Sequence, residues 1–403
     1  NATNKLSINN EIKAKLIENA AKKSVELNAN ATIQTIKNAG TILINSGILT
    51  AENYESISGK INLREGGTLK ITKEEETTIP DLTFVKTDSS TNNFAKLEGN
   101  ISVTNATYNN ADIQTSGNIT LPKTTVTTNE IGSLNVASGT TSIETINANS
   151  ISVETSASLE VSSSITSQSI ANNGSINGLA SVSTKGLENS GVIEIKGNFT
   201  CDGAVNSSGT LKATEIKLGN SSTEDTVTIG KKENDVISGS LSGEKITFYG
   251  KKNIIYPNIE ATNEINFYRQ IESKNNDLVI KAPTIKTNDS VTIDGGSLKF
   301  DGIYQNDSVT TVKTNLTVTG SVTNNSSKSL IIESGKSFSS NGNFTNAGEI
   351  TNNGSLTIYG NADFSSGTYT KREDNSDVLN IINTQTESTV LKLPANTKIG
   401  TLK

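Results

Sequence analysis

Gly191 to Leu211 reads GVIEIK, GNFTCD, GAVNSS, GTL. Glycine recurs at Gly191, Gly197, Gly203 and Gly209, and an apolar residue stands two places after each, at Ile193, Phe199, Val205 and Leu211. Both series step by six. A repeat this short cannot bury its own apolar side chains, so it has to stack on copies of itself. The stretch predicts an all-β chain wound as a parallel β-solenoid. It speaks for architecture and names no ligand.

Working outward, the dominant unit is glycine followed by two alternating apolar residues, as in Gly59-Lys-Ile61-Asn-Leu63, Gly99-Asn-Ile101-Ser-Val103, Gly117-Asn-Ile119-Thr-Leu121 and Gly354-Ser-Leu356-Thr-Ile358. Alternation marks a short strand with one buried face. The glycine before it suits the positive φ of a tight corner. Superposing similar segments gives the turn length. Ile246-Thr-Phe248-Tyr249 returns as Ile265-Asn-Phe267-Tyr268 after 19 residues, while Ile101 to Ile119 and Leu298 to Leu316 are shifts of 18. One turn thus takes 18 to 20 residues, and about twenty turns at the strand spacing make a rod on the order of 90 Å long. The interval from Phe267 to Ile280 breaks the pattern and predicts a loop bulging from the rod. A second hexad patch runs through Phe338, Phe344, Ile350 and Leu356. Left-handed hexapeptide solenoids keep that pattern throughout, and here it holds only in patches, so a right-handed β-helix is favoured.

Residues 1–30 read differently. Ile12, Leu16, Ile17, Ala20 and Val25 fall on one helical face, Glu11, Lys15, Glu18 and Lys22 on the other, and Asn9 or Asn10 stands at a capping position. A short helix over the first turn would cover its open edge. The alternative is a partner-binding helix. Residues 31–403 then form the solenoid. Lys73 to Glu76 and Lys231 to Asp235 read as charged, solvated corners. Ile381-Ile382, Leu391, Leu393 and Ile399 carry the pattern to the end without a visible cap, which leaves an edge open to end-to-end self-association.

Composition agrees with a thin core. The apolar fraction is 33%, aromatic residues are 4% and 32 residues are glycine, while the net charge of −6 comes from scattered Lys and Glu with three arginines. This balance gives no nucleic-acid footprint. There is no membrane-length apolar run and no leader, which predicts prior removal of any signal peptide. Disorder, the other reading of low hydrophobicity, gives no reason for glycine and β-branched residues to recur in register.

The sequence has no histidine and one cysteine. Ser-His-Asp and Cys-His pairs, histidine-ligated metals and thiolate clusters are therefore excluded. Cys201 reads as a small apolar filler. Gly335-Lys336-Ser337 lacks the earlier glycine of a phosphate-binding loop, Leu330 standing there instead. Paired carboxylates could cleave polysaccharides, as some β-helices do, but the acids are dispersed and tryptophan is absent. Asp294-Gly295-Gly296 and Asp301-Gly302 read as turns rather than calcium corners. Asn-rich runs predict asparagines hydrogen-bonded along the stack. Sequons such as Asn198-Phe-Thr200 follow from the composition. Thr125-Val-Thr127 and Thr317-Val-Thr319 do not recur at the constant interval that ice binding would need. No enzyme chemistry, cofactor or metal is expected.

The sharpest surface feature is Tyr249 with Tyr268. If Phe248 and Phe267 stack inward, the two tyrosines turn outward together near Arg269, Lys251 and Tyr256. An exposed aromatic pair beside cations suits a glycan or a host-surface protein. A stabilising cross-strand ladder is the plainer explanation.

The glycine-led strand units, with Asn341-Gly-Asn-Phe-Thr-Asn-Ala-Gly348 and Glu349-Ile-Thr-Asn-Asn-Gly354, resemble the β-helical passenger domains of bacterial autotransporters and filamentous-haemagglutinin-like adhesins. The resemblance implies a cell-surface or extracellular location and a structural or adhesive role. It carries no functional residue across. The chain departs from that family in lacking aromatic-rich barrel strands and an Asn-Pro-Asn motif near its start.

Overall fold

The hexad residues point inward. Ile193, Phe199 and Leu211 are 0% exposed and Val205 is 2%. Phe199–Cys201 lies in register on Glu215–Leu218, Phe199 against Ile216. Two further strands, Val205–Ser207 and Thr210–Lys212, come between them in sequence. Three short strands thus make one turn, and each hexad is one side of it. The computed structural model describes residues 5–56, 58–87, 93–124, 130–220, 222–371, 377–382, 390–394, 397 and 401–403. These residues are wound as parallel β-solenoid, about 19 turns counted over two units, with no helix. The chain divides into two compact units, residues 1–197 and 198–403.

The register follows the sequence superpositions. Ile101 lies on Ile119, Leu298 on Leu316, Ile246 on Ile265 and Phe248 on Phe267. Turn length varies more than those pairs suggest: Ile176 meets Ile193 after 17 residues, and Leu211 meets Leu241 after 30. The second hexad patch is equally regular, with Phe338, Phe344, Ile350 and Leu356 all 0% exposed. Strands Val378–Ile381, Leu391–Lys392 and Thr401–Leu402 extend the parallel stacking of the second unit, while Ile399 lies outside the described residues.

Glycine serves the corners in two ways. Gly99 and Gly117 have the expected positive φ, +126° and +100°, and a Cβ on Gly117 would sit 2.2 Å from the Gly99 carbonyl oxygen. Gly59 and Gly354 are not in that backbone region. There the need is close approach alone, since a Cβ on Gly59 would lie 2.3 Å from the Asn38 carbonyl oxygen, and one on Gly354 equally near that of Lys336.

Residues 12–27 are two strands joined by a turn, not the expected helix. Ile12–Asn19 pairs with Ala31–Asn38, placing Ala14 on Ile33 and Ile17 on Ile36, and Ser24–Leu27 pairs with Thr41–Ile44. A lone helix of this length is marginal, whereas a strand gains a full ladder from the turn it lies on. The Asn19 carboxamide also donates to Asn38 Oδ1 at 2.8 Å. The alternation Ile12, Ala14 and the spacing Ile17–Asn19 satisfy a strand as well as a helix face, and tertiary pairing decides.

No loop bulges between Phe267 and Ile280. Ile259 pairs with Ile280 and Phe267 with Thr287, so the turn closes once the right partners are compared. The element that leaves the stack is a hairpin, Lys231–Glu233 against Val236–Ser238, the one antiparallel pair among the described strands. Its turn residues Asn234 and Asp235 have φ 48° and 64°. Positive φ at both central positions is the mirror-image turn that matches strand twist. Lys73 and Glu75 occupy a bend, as expected, and pair at 2.7 Å.

The core of the second unit is an aromatic file. Successive ring centroids from Phe248 through Phe267, Phe300, Tyr304, Phe338, Phe344 and Phe364 to Tyr369 lie 4.9 to 6.4 Å apart. Beside it runs a buried polar column. Thr287 Oγ1 donates to Asn306 Oδ1 at 2.9 Å, the Asn306 carboxamide to Asn324 Oδ1 at 2.7 Å, and that of Asn324 to Asn346 Oδ1 at 2.7 Å. Asn306, Asn324 and Asn346 are all 0% exposed. The first unit repeats the device with Asn172 and Asn189 at 2.9 Å.

Candidate functional site

Phe248 and Phe267 fill the core in register, so alternation turns the next residue of each strand outward. Tyr249 and Tyr268 do project together, half-buried, with ring centroids 4.5 Å apart and planes 30° from parallel. Their backbones are fixed by the stack: Tyr249 N donates to Leu218 O at 2.8 Å and Tyr268 N to Phe248 O at 3.1 Å. The spacing is that of neighbouring strands. The rings therefore cover each other's inner faces, and an incoming group meets their edges, hydroxyls and two outer faces. Burial, with Tyr249 beside it, raises the Tyr268 phenol above its ordinary value.

Lys251 and Arg269 follow the tyrosines at equivalent corners of successive turns, where Gln270 N donates to Lys251 O at 3.3 Å. Both cations are engaged, Arg269 with Asp289 at 3.7 Å and Lys251 with Glu224. Tyr256 belongs to the next corner, after Lys252–Ile255, at the root of the hairpin where Gly230 packs under its Cβ. The structure thus joins Tyr249 with Tyr268, sets Lys251 and Arg269 beside them, and leaves Tyr256 a strand away.

A neighbouring ion triad escapes the reading of the sequence. Glu264 lies between Lys245, at 3.0 Å, and Lys286, at 2.5 Å, and accepts a hydrogen bond from Asn266 Nδ2 at 2.7 Å. Partial burial pushes the Glu264 carboxyl up, but the hydrogen bonds from Asn266, Lys286 and Lys245 outweigh it and hold the pKa at about 2. The signal is present, since the superposition of Ile246 on Ile265 sets Lys245 against Glu264. It is masked when only the apolar letters are compared.

Elsewhere the chemistry-bearing residues serve local structure. Cys201 is 0% exposed, and burial raises its thiol pKa to about 11, so almost none of it is thiolate at neutral pH. Asp294 Oδ1 accepts from Gly295 N at 2.7 Å, and Asp301 Oδ1 from Thr319 Oγ1 at 2.8 Å. Among the described residues no three or more His, Cys, Asp or Glu side chains gather to hold a metal ion, and no helix is long and apolar enough to cross a membrane. Thr125 and Thr127 lie outside the described residues. Comparison with protein-family models, curated proteins and solved structures finds no match.

Proposed function

We propose that this chain is a non-enzymatic, extracellular structural or adhesive solenoid that associates end to end with further copies of itself. We read its coil as right-handed, as nearly all parallel strand crossovers are. The observation that carries the association is a pair of apolar strand positions left open on the stack. Leu6 lies in register on Val25, yet Leu6 is 57% exposed and Val25 is 5%. In the second unit Leu402 lies on Leu379, with exposures of 54% and 0%. Leu6 and Leu402 are thus apolar strand positions left open beside covered stacked neighbours. A turn from a second copy supplies both the apolar cover and strand-edge hydrogen bonds. Sedimentation velocity with negative-stain imaging over a rising concentration series tests this. Concentration-dependent filaments that Leu6→Lys abolishes are the expected result, and a single monomeric species at the highest concentration overturns it.

The adhesive part of the reading draws on the outward Tyr249–Tyr268 stack, whose hydroxyl edges and flanking Arg269 and Lys251 suit a glycan or a host-surface protein. Binding to a glycan or cell-surface array that falls on changing both tyrosines to alanine supports it. Binding indifferent to that change removes this surface from consideration.

A further inference from the structure

The first unit carries a concavity that the strand pattern does not explain. Thr120, Ser142, Glu160 and Asn177 lie in one row across four successive turns, and Leu121, Ile143, Val161 and Gly178 in the next. Just beyond the second row the chain turns away. The corner is tight at Gly178, where φ is +138° and a Cβ would lie 2.0 Å from the Val161 carbonyl oxygen. The result is an open elbow of about 680 Å³, walled by these rows together with Pro122, Lys123, Glu144 and Leu179. That volume is in the range of ligand sites.

Two features define what fits. Leu179 stands at the lip 62% exposed, with Pro122 beside it, while Leu121, Ile143 and Val161 turn their side chains into the core and present mainly backbone. The charge is unbalanced toward acid. Lys123 pairs with Glu144 at 3.8 Å, while Glu160 accepts a hydrogen bond from Ser142 Oγ at 3.3 Å and has no cation within ion-pair distance among the described residues. None of the lining residues is aromatic, so a sugar ring finds no face to stack on. Four turns span about 14 Å, the length of four or five residues of extended chain.

We infer that this elbow binds an extended peptide laid along the stack, with an aliphatic side chain against Leu179 and a lysine or arginine on Glu160. The site stands apart from the end-to-end association and from the tyrosine pair, and its test does not depend on either.

The probe is fluorescein-labelled acetyl-Leu-Lys-Leu-Lys-Leu, with its Leu-Glu counterpart as control, read by fluorescence anisotropy against the full chain. Saturable binding of the lysine peptide is expected, at least about tenfold tighter than the glutamate peptide and weakened by added salt. Glu160→Gln is expected to weaken it about three- to fivefold, as for an exposed ion pair. Leu179→Ser is expected to weaken it about fivefold through lost apolar contact. Both substitutions are at exposed positions, and circular dichroism of each variant checks that the fold is retained. Equal binding of the two peptides, or binding that neither variant alters, overturns the proposal. So does a panel of neutral oligosaccharides that binds in place of the peptide and is lost in Leu179→Ser, which would assign the elbow to a glycan.

Discussion

Asn324 donates its carboxamide to Asn346 Oδ1 at 2.7 Å and to Glu349 O at 2.9 Å, while its own Oδ1 accepts from Asn306. A fully buried amide so satisfied ties three successive turns in one register. A one-residue slip would leave each member unpaired, and unpaired buried polar groups are costly. The column is thus a register lock beside an aromatic file that is itself tolerant of sliding.

Replacing Asn324 with alanine should therefore cost more than its size suggests. It strands a donor on Asn306 and an acceptor on Asn346, for a loss of roughly 2 to 4 kcal/mol. Urea unfolding of Asn324→Ala against the parent measures it. A midpoint shift worth less than about 1 kcal/mol would show the column to be incidental.

The two uses of glycine separate under substitution. Gly66 has φ +92° and nothing lies within 4 Å of where a Cβ would stand, so Gly66→Ala bears only the backbone strain, about 1 kcal/mol. Gly117→Ala adds a clash with the Gly99 carbonyl to similar strain and should cost about 2 to 5 kcal/mol. Thermal melts of the pair test this, and equal losses would contradict it.

The Glu264 triad makes a pH prediction. Its carboxyl is held at about 2 in the fold against an ordinary 4.5, so the unfolded chain takes up the proton first as pH falls. The stability it contributes is complete above about pH 4.5 and is lost as pH drops toward 2. Melting temperatures of the parent and Glu264→Gln should differ by a constant amount above that window and converge through it. A difference that stays constant down to pH 2 would refute the triad's role.

Much of the fold is legible because a solenoid repeats its requirements. Ile246, Phe248 and Tyr249 return as Ile265, Phe267 and Tyr268 because one strand lies on the other. The inward phenylalanines and the outward tyrosines follow from alternation alone. Residues 12–27 mislead because their apolar spacing satisfies both periods, and the choice rests on pairing with Ala31–Asn38, which is not local. The hairpin at Asn234-Asp235 reads as a corner because its strands are three residues each and the first, Lys231–Glu233, is entirely charged.

By itself the sequence determined the winding. Glycine-led alternation with a return near 18 residues leaves stacked parallel strands as the way to bury these side chains. Tertiary structure alone decided which polar residues go inside and where the surface becomes concave. Asn306, Asn324 and Asn346 look like any of the many asparagines in the chain until register places one above another. The elbow beside Leu179 likewise exists because Thr120, Ser142, Glu160 and Asn177, far apart along the chain, fall in one row. Such alignment depends on the exact length of every turn between them, a sum over corners that no local pattern states.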